Sequence, residues 1–176
     1  MRHLPAQTTS SPWAIRDAVE ADLPAIVAIY NAAIPARMST ADTAPVSLDS
    51  RYAWFREHAP GSRPLWVADD GVSILGWLSF QSFYGRPAYR ATAELSVYVS
   101  PTHQRAGIAR TLLAQALREA ARLELRTLLG FIFGHNQPSL ALFASFGFER
   151  WAFLPRVAEL DGVERDLVIV GRRVCE

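Results

Sequence analysis

The sequence predicts a single α/β domain, a mixed sheet with helices on its faces. Three observations carry that expectation. Thr92 to Val99 alternates, with Leu95, Val97 and Val99 on one side and Glu94, Ser96 and Tyr98 on the other, as a half-buried strand does. Directly after it, Ile108, Leu112, Leu113, Ala116, Leu117, Ala120 and Leu123 recur at helical spacing. The remaining segments fall in the order βα(α)ββ–β–α–β–α–ββ, which suits helices packed on a sheet. Length agrees: 176 residues come to roughly 1.2 domains of ordinary size.

Each element has a local reason. Residues 1–12 read as a flexible tail and 13–19 as a first strand. Asp22 is the expected N-cap of a helix with Pro24 in its first turn, and Leu23, Ile26, Val27, Tyr30 and Ile34 give it one apolar face. Residues 35–46 are irregular and polar. A short helix is expected over 48–58, stopped by Pro60-Gly61-Ser62. Leu65 to Ala68 and Ile74 to Phe80 form a hairpin around Asp69-Asp70-Gly71. Gly107 opens the long helix, and Leu128 to Phe133 is a buried strand. A further helix over 138–146 ends at Gly147, the residue type favoured just past a helix end. Two strands about Asp161-Gly162 close the chain, the second over 167–170.

Composition narrows the function. There are 18 basic residues against 17 acidic ones, a formal net charge of +1. No strong field exists to draw in nucleic acid or an anionic membrane, and neither is expected as a partner. All of the basic residues are Arg. Without lysine there is no phosphate-loop lysine and no Schiff-base chemistry. The single Cys175 has no intramolecular disulfide partner, and the His residues lack zinc-like spacing, so no metal is expected. Residues 1–11 contain no apolar core of a signal peptide, and no apolar run nears the roughly 18 residues of a membrane span. A cytoplasmic protein is expected.

The most informative stretch joins a strand to a helix. After Val97-Tyr98-Val99, the loop Gln104-Arg105-Ala106-Gly107-Ile108-Ala109-Arg110 carries small residues at 106, 107 and 109. Those let a ligand approach the backbone, where free N–H groups and the helix dipole favour an anion such as a pyrophosphate. Any strand–loop–helix junction offers a similar end, so the spacing alone leaves an ordinary helix start open. It is not the dinucleotide fingerprint, because Gly107 stands alone.

Gln104-x-x-Gly107-x-Ala109 in this setting resembles the acetyl-CoA pyrophosphate loop of the GNAT N-acetyltransferase superfamily. A second motif agrees: Asn136-x-x-Ser139 opens a short helix that ends in Phe146-Gly147-Phe148. The similarity runs from about residue 14 to 170. Within the superfamily, Thr92-x-Glu94-x-Ser96-Val97-Tyr98-Val99-Ser100-Pro101-x-His103-Gln104-Arg105 looks like the phosphinothricin and methionine-sulfoximine acetyltransferases, as do Ile29-Tyr30-Asn31 and the closing Asp161-Gly162 hairpin.

The resemblance implies a domain over 13–176 with a mostly antiparallel sheet, its central parallel pair splayed apart. The 97–99 strand segment would hold the acetyl and pantetheine arm of acetyl-CoA, through the backbone of Val97 and Val99. Residues 104–110 would wrap the pyrophosphate, with Asn136 and Ser139 meeting the arm from the second site. Asn136 reads equally as a helix cap, and Arg110 as a solvated charge. Glu94 is the candidate general base: an ammonium acceptor must lose a proton before it attacks a thioester, and a partly buried carboxylate can take it. Its plain reading is an exposed strand glutamate.

For the acceptor, the resemblance points to Phe83, Tyr84, Arg86, Tyr89, Arg90 and Thr92. Arg90 would grip a carboxylate between aromatic walls; as plain surface charges, Arg86 and Arg90 need no ligand. Tyr30 and the 37–43 loop would complete the pocket, although Tyr30 also suits core packing. Phe143 is the departure: family members carry Tyr or His there to protonate the leaving thiolate. Either the thiol leaves unassisted, or Tyr98 or His135 stands in, or Phe143 is simply core. The expected function is acetyl transfer from acetyl-CoA to the primary amine of a small amino-acid-like substrate, in a homodimer. The rivals are a peptide N-terminal acetyltransferase and a non-catalytic acyl-CoA-binding domain.

Overall fold

A computed structural model describes residues 12–174. The expected tail (1–12) falls almost wholly outside the described residues, as does Cys175. A seven-stranded sheet runs in the order β1-β2-β3-β4-β5-β7-β6. Its strands are β1 Ala14–Asp17, β2 Leu65–Asp69, β3 Ile74–Ser82, β4 Thr92–Val99, β5 Thr127–Phe133, β6 Glu149–Leu160 and β7 Val163–Arg173. The helices are α1 Leu23–Ala33, α2 Leu48–Arg56, α3 Ile108–Glu119 and α4 Gln137–Ala144. No described helix is long and apolar enough to cross a membrane.

Connections explain the topology. Short turns join β2 to β3 and β6 to β7, so those pairs are antiparallel. The β6–β7 turn places Asp161 (φ 52°) and Gly162 (φ 77°) in the left-handed region, which matches the twist of a tight hairpin. Between β4 and β5 the chain crosses over through α3, and that pair alone is parallel. Strand β7 enters between β5 and β6, a placement that the local pattern does not specify.

Alternation along the strands divides the interior in two. Trp66, Leu78, Phe80, Ala93 and Leu95 pack with Ile108, Leu112, Leu113 and Ala116 of α3 and with Phe143 of α4. Leu65, Val67 and Trp77 point the other way, onto Ile26 and Ile29 of α1, with Trp54 of α2 and Tyr98 beside them. The sheet is therefore covered on both faces, as expected.

Several boundaries differ for physical reasons. Asp22 does not cap α1 with its side chain. It lies in a 3-10 turn, Glu20–Asp22, where its carboxylate accepts from Arg16 (2.7 and 2.9 Å) and from the Val19 N–H (2.8 Å). Helix α3 stops at Glu119, and the chain turns through a left-handed Glu124 (φ 56°) while Leu123 still packs in the core. Strands β6 and β7 extend well beyond the short segments expected, because they pair along almost their whole length.

Candidate active site

The site begins with a fork in the sheet. Strand β4 pairs with β5 only at Thr92↔Thr127, Ala93↔Leu128 and Glu94↔Leu129. Beyond Glu94 it keeps its partners in β3, through Val99↔Gly76, but has none in β5. β5 meanwhile stays paired with β7 to Phe133↔Leu167. One backbone edge of β4 therefore opens into a cavity of about 350 Å³. Glu94, Val97, Tyr98, Asn136, Ser139 and Phe143 all border it. Val99 continues the open edge toward the α3 loop.

Glu94 is half-buried, and burial pushes its carboxyl above the usual carboxylate range. Among the described residues no charged neighbour adds to that shift. At the other end of the fork, Arg105 (φ 64°) and Gly107 (φ 82°) are both left-handed, and Gly107 directly precedes α3. Residues 104–107 are exposed, and a Cβ on Gly107 would meet nothing within 4 Å. The first-turn N–H groups of α3 have no intrahelical partners and face this open ground. Arg110 reaches across to Ser145 Oγ (3.2 Å) and covers the Phe146 ring (5.2 Å), so it links α3 to α4.

Asn136 is buried and its side chain is engaged at both ends within the fold. Its side-chain oxygen accepts from Ser139 N (3.2 Å) as the cap of α4, and its amide donates to Met38 O (2.9 Å). Together with His135 Nε2 on Arg37 O (2.8 Å) and the Arg37–Asp161 ion pair (2.7 Å), this fastens the 37–41 loop over the cavity. Met38 to Ala41 form one of its walls.

Phe143 lies in the apolar core, edge-on to Phe148 at 4.9 Å between centroids. A Cβ on Gly130 would sit 2.8 Å from its ring, so Gly130 is what admits it. Neither stand-in for the missing acid is free. Tyr98 donates to Ser39 O (2.8 Å), and burial raises its phenol far above the ordinary value. His135 is engaged with Arg37 O and stacked on Phe133.

A second cavity, of about 130 Å³, adjoins the first at Ser96 and Tyr98. Tyr30 belongs here. Its hydroxyl donates to Asp42 Oδ2 (2.6 Å) and lies 2.5 Å from Thr40 Oγ1. Phe83, Tyr89 and Arg90 instead line a separate groove at the β3–β4 connection, with Arg86. Tyr84 is 76% exposed and packs on Phe83 and Tyr89. The Thr92 carbonyl accepts from Arg63 Nη2 (3.2 Å). The chain thus does not bring Phe83, Tyr84, Arg90 or Thr92 into the cavity of Glu94. The cause is register: β3 and β4 pair as far as Ser82↔Ala93, so the 83–91 connection closes beyond the strand ends. What sequence reasoning missed is the set Arg51, Trp54, Trp77, Ser79 and Gln81 around the second cavity. A signal existed, since Ser79 and Gln81 interrupt the apolar run of β3 on the same face as Trp77.

Comparisons with known proteins place this geometry. The pattern that defines the acetyltransferase (GNAT) family matches residues 26–148. YwnH of Bacillus subtilis (strain 168), provisionally named a phosphinothricin acetyltransferase, is 49% identical over 91% of this chain and 98% of its own. An L-methionine sulfoximine/L-methionine sulfone acetyltransferase of Pseudomonas paraeruginosa is 37% identical over 89% of this chain and 91% of its own. The crystal structure of a phosphinothricin acetyltransferase from Sinorhizobium meliloti, in complex with acetyl-CoA, superimposes with a TM-score of 0.86. It shares 28% identity and covers 93% of this chain and 89% of that one.

Proposed function

The chain belongs to the GNAT acetyltransferase family, and from that premise we propose that it acetylates the primary amine of a small amino-acid-like acceptor of the phosphinothricin or methionine-sulfoximine type. Transfer is direct, within a ternary complex of enzyme, acetyl-CoA and acceptor. The observation that carries this reading is the fork after Glu94, with a proton-accepting carboxylate at its base and a helix N-terminus at its far end.

The residues present fit acetyl-CoA. The open edge of β4 at Val97 and Val99 offers main-chain partners for its pantetheine arm, and residues 104–109 at the α3 N-terminus offer N–H groups to its pyrophosphate. Ser139 borders the cavity and would meet the arm there, and Asn136 acts by holding the 38–41 wall. When bound, acetyl-CoA supplies the thioester whose acyl group passes to the amine. Glu94 takes the proton that the acceptor ammonium must lose, directly or through a water. Phe143 brings no proton to the thiolate, and a simple thiol of pKa about 8.5 leaves without one.

Two further features belong to the proposal: a cytoplasmic location and a homodimer. Exposed Trp151, Phe153 and Val157 on edge strand β6 support pairing with a second copy.

The test is thiol release from acetyl-CoA across a panel of amines. Phosphinothricin, methionine sulfoximine or an ordinary amino acid should give turnover, while spermidine, kanamycin and an N-terminal peptide should give little. Preference for a polycation or a peptide would overturn the substrate class, and no release with any amine would overturn catalysis itself.

A further inference from the structure

The backbone after α1 stands where the central ladder is missing. Glu94 faces Leu129, the last pair of β4 with β5, so an unbroken parallel ladder would set Tyr98 against Phe133. Instead, side chains from both banks of the fork reach three consecutive carbonyls of one loop. From β4, Tyr98 Oη donates to Ser39 O (2.8 Å). From the segment after β5, Asn136 Nδ2 donates to Met38 O (2.9 Å) and His135 Nε2 to Arg37 O (2.8 Å). Tyr98 lies on the α1–α2 side of the sheet, so residues 37–39 cross the fork on that face.

The crossing is pinned at its ends as well. Arg37 is left-handed (φ 53°), and its guanidinium meets Asp161 of the β6–β7 turn through two hydrogen bonds (2.7 and 3.0 Å). Its Nη1 also donates to Thr43 O (3.1 Å). Thr40 is buried, with its hydroxyl 2.5 Å from that of Tyr30. A backbone held this way is over-determined by its surroundings, as ligand clamps are. It crosses at the level of Tyr98, four residues and about 13 Å along the strand from Glu94. One way in therefore stays open, past Glu94, and the acceptor fills it.

A thioester held beside a basic carboxylate faces a competing reaction. Glu94 can take a proton from water as it does from an amine. The water oxygen then bonds to the acyl carbon, the C–S bond breaks, and acetate leaves with free CoA. Excluding water is what separates that loss from transfer. We propose that residues 37–41 roof the bound thioester against water, and that Tyr98, His135 and Asp161 are positioning residues that hold the roof in place. The proposal rests on the acetyltransferase reading and deepens it, giving Tyr98 and His135 a task other than protonating the thiolate.

The test measures the share of acetyl-CoA consumption that ends in free acetate, at saturating phosphinothricin, for wild type, Tyr98→Phe, His135→Phe and Asp161→Asn. His135→Phe keeps a ring beside Phe133, and Asn tolerates the left-handed turn at 161. Tyr98→Phe and His135→Phe should each raise the acetate share by about 2–12-fold, the shift in an open-to-closed ratio expected from one net hydrogen bond. The double variant should exceed either. Asp161→Asn should raise it less, because an exposed ion pair contributes little. A second readout needs no turnover: acetyl-CoA should slow amide hydrogen exchange at 38–41 in wild type, and slow it less in the variants. Loss of a thiolate acid would instead lower total thiol release with the acetate share unmoved, and a merely structural role would lower Tm with the share unmoved. Either result, or exchange at 38–41 indifferent to acetyl-CoA, overturns the roof alone. Absence of transfer by wild type with every amine overturns the parent reading, and the roof with it.

Discussion

Glu94 stands opposite Leu129, and that pair is the last at which β4 and β5 remain joined. The carboxylate therefore sits where the sheet divides, between an open backbone edge on one side and the α1–α2 face on the other. In the proposed reaction, an acceptor amine and an acyl donor would approach from those two directions and meet at this residue. The placement follows from the pairing alone.

The far end of the fork is tested by substitution at Gly107. Its φ of 82° and its open surroundings suit a backbone that a phosphate approaches closely. Gly107→Glu should abolish acetyl-CoA binding in calorimetry while circular dichroism stays unchanged, since bulk and negative charge occupy the anion's place. Gly107→Ala should bind far better and cost about 1–2 kcal/mol of stability, the left-handed penalty for a residue with a Cβ. Unaltered affinity in a folded Gly107→Glu protein would remove the loop from the site.

Packing beneath the cavity depends on a second glycine. A Cβ at Gly130 would lie 2.8 Å from Phe143 and 3.1 Å from Val170. Gly130→Ala should lower stability by about 1–3 kcal/mol in urea denaturation, as overpacking does. Adding Phe143→Leu should restore part of that loss. Strictly additive losses would mean that the two residues do not share the space.

Much of this was legible in the sequence because it is local. Alternation fixed the two faces of β4, so Glu94, Ser96 and Tyr98 were grouped before any contact was known. Small residues around Gly107 marked the loop, and Phe143 read as core. The pieces that stayed hidden are products of tertiary contact. Arg51 looks like one more exposed helix charge until Tyr30, Trp54 and Asp42 surround it. Asp22 has every local mark of an N-cap, yet Arg16 arrives from β1 and takes its carboxylate. The aromatic and basic residues at 83–90 lie close to Glu94 in sequence. Pairing of β3 with β4 nevertheless carries them past the strand ends into another groove.

Glu94 should also leave a mark on stability. Burial raises its folded pKa, so its contribution is most favourable below the ordinary glutamate value of about 4.3 and is lost as pH rises through the folded value. Glu94→Gln removes that dependence. Its Tm relative to wild type should therefore increase between acid and neutral pH. A constant difference across that window would mean that Glu94 is solvated like any surface carboxylate.

The central claim is that Glu94 takes the proton from the acceptor amine, and the pH dependence of kcat/KM in wild type and Glu94→Gln tests it most directly. With phosphinothricin as acceptor, wild type should show an acid limb above the ordinary carboxylate range, in line with the direction of the Glu94 shift. Glu94→Gln should keep its affinity for acetyl-CoA, lose that limb, and turn over about 10²–10⁴-fold more slowly at neutral pH. Its deficit should shrink at high pH, where the amine deprotonates unaided. A Glu94→Gln enzyme with the wild-type rate and profile would contradict the account.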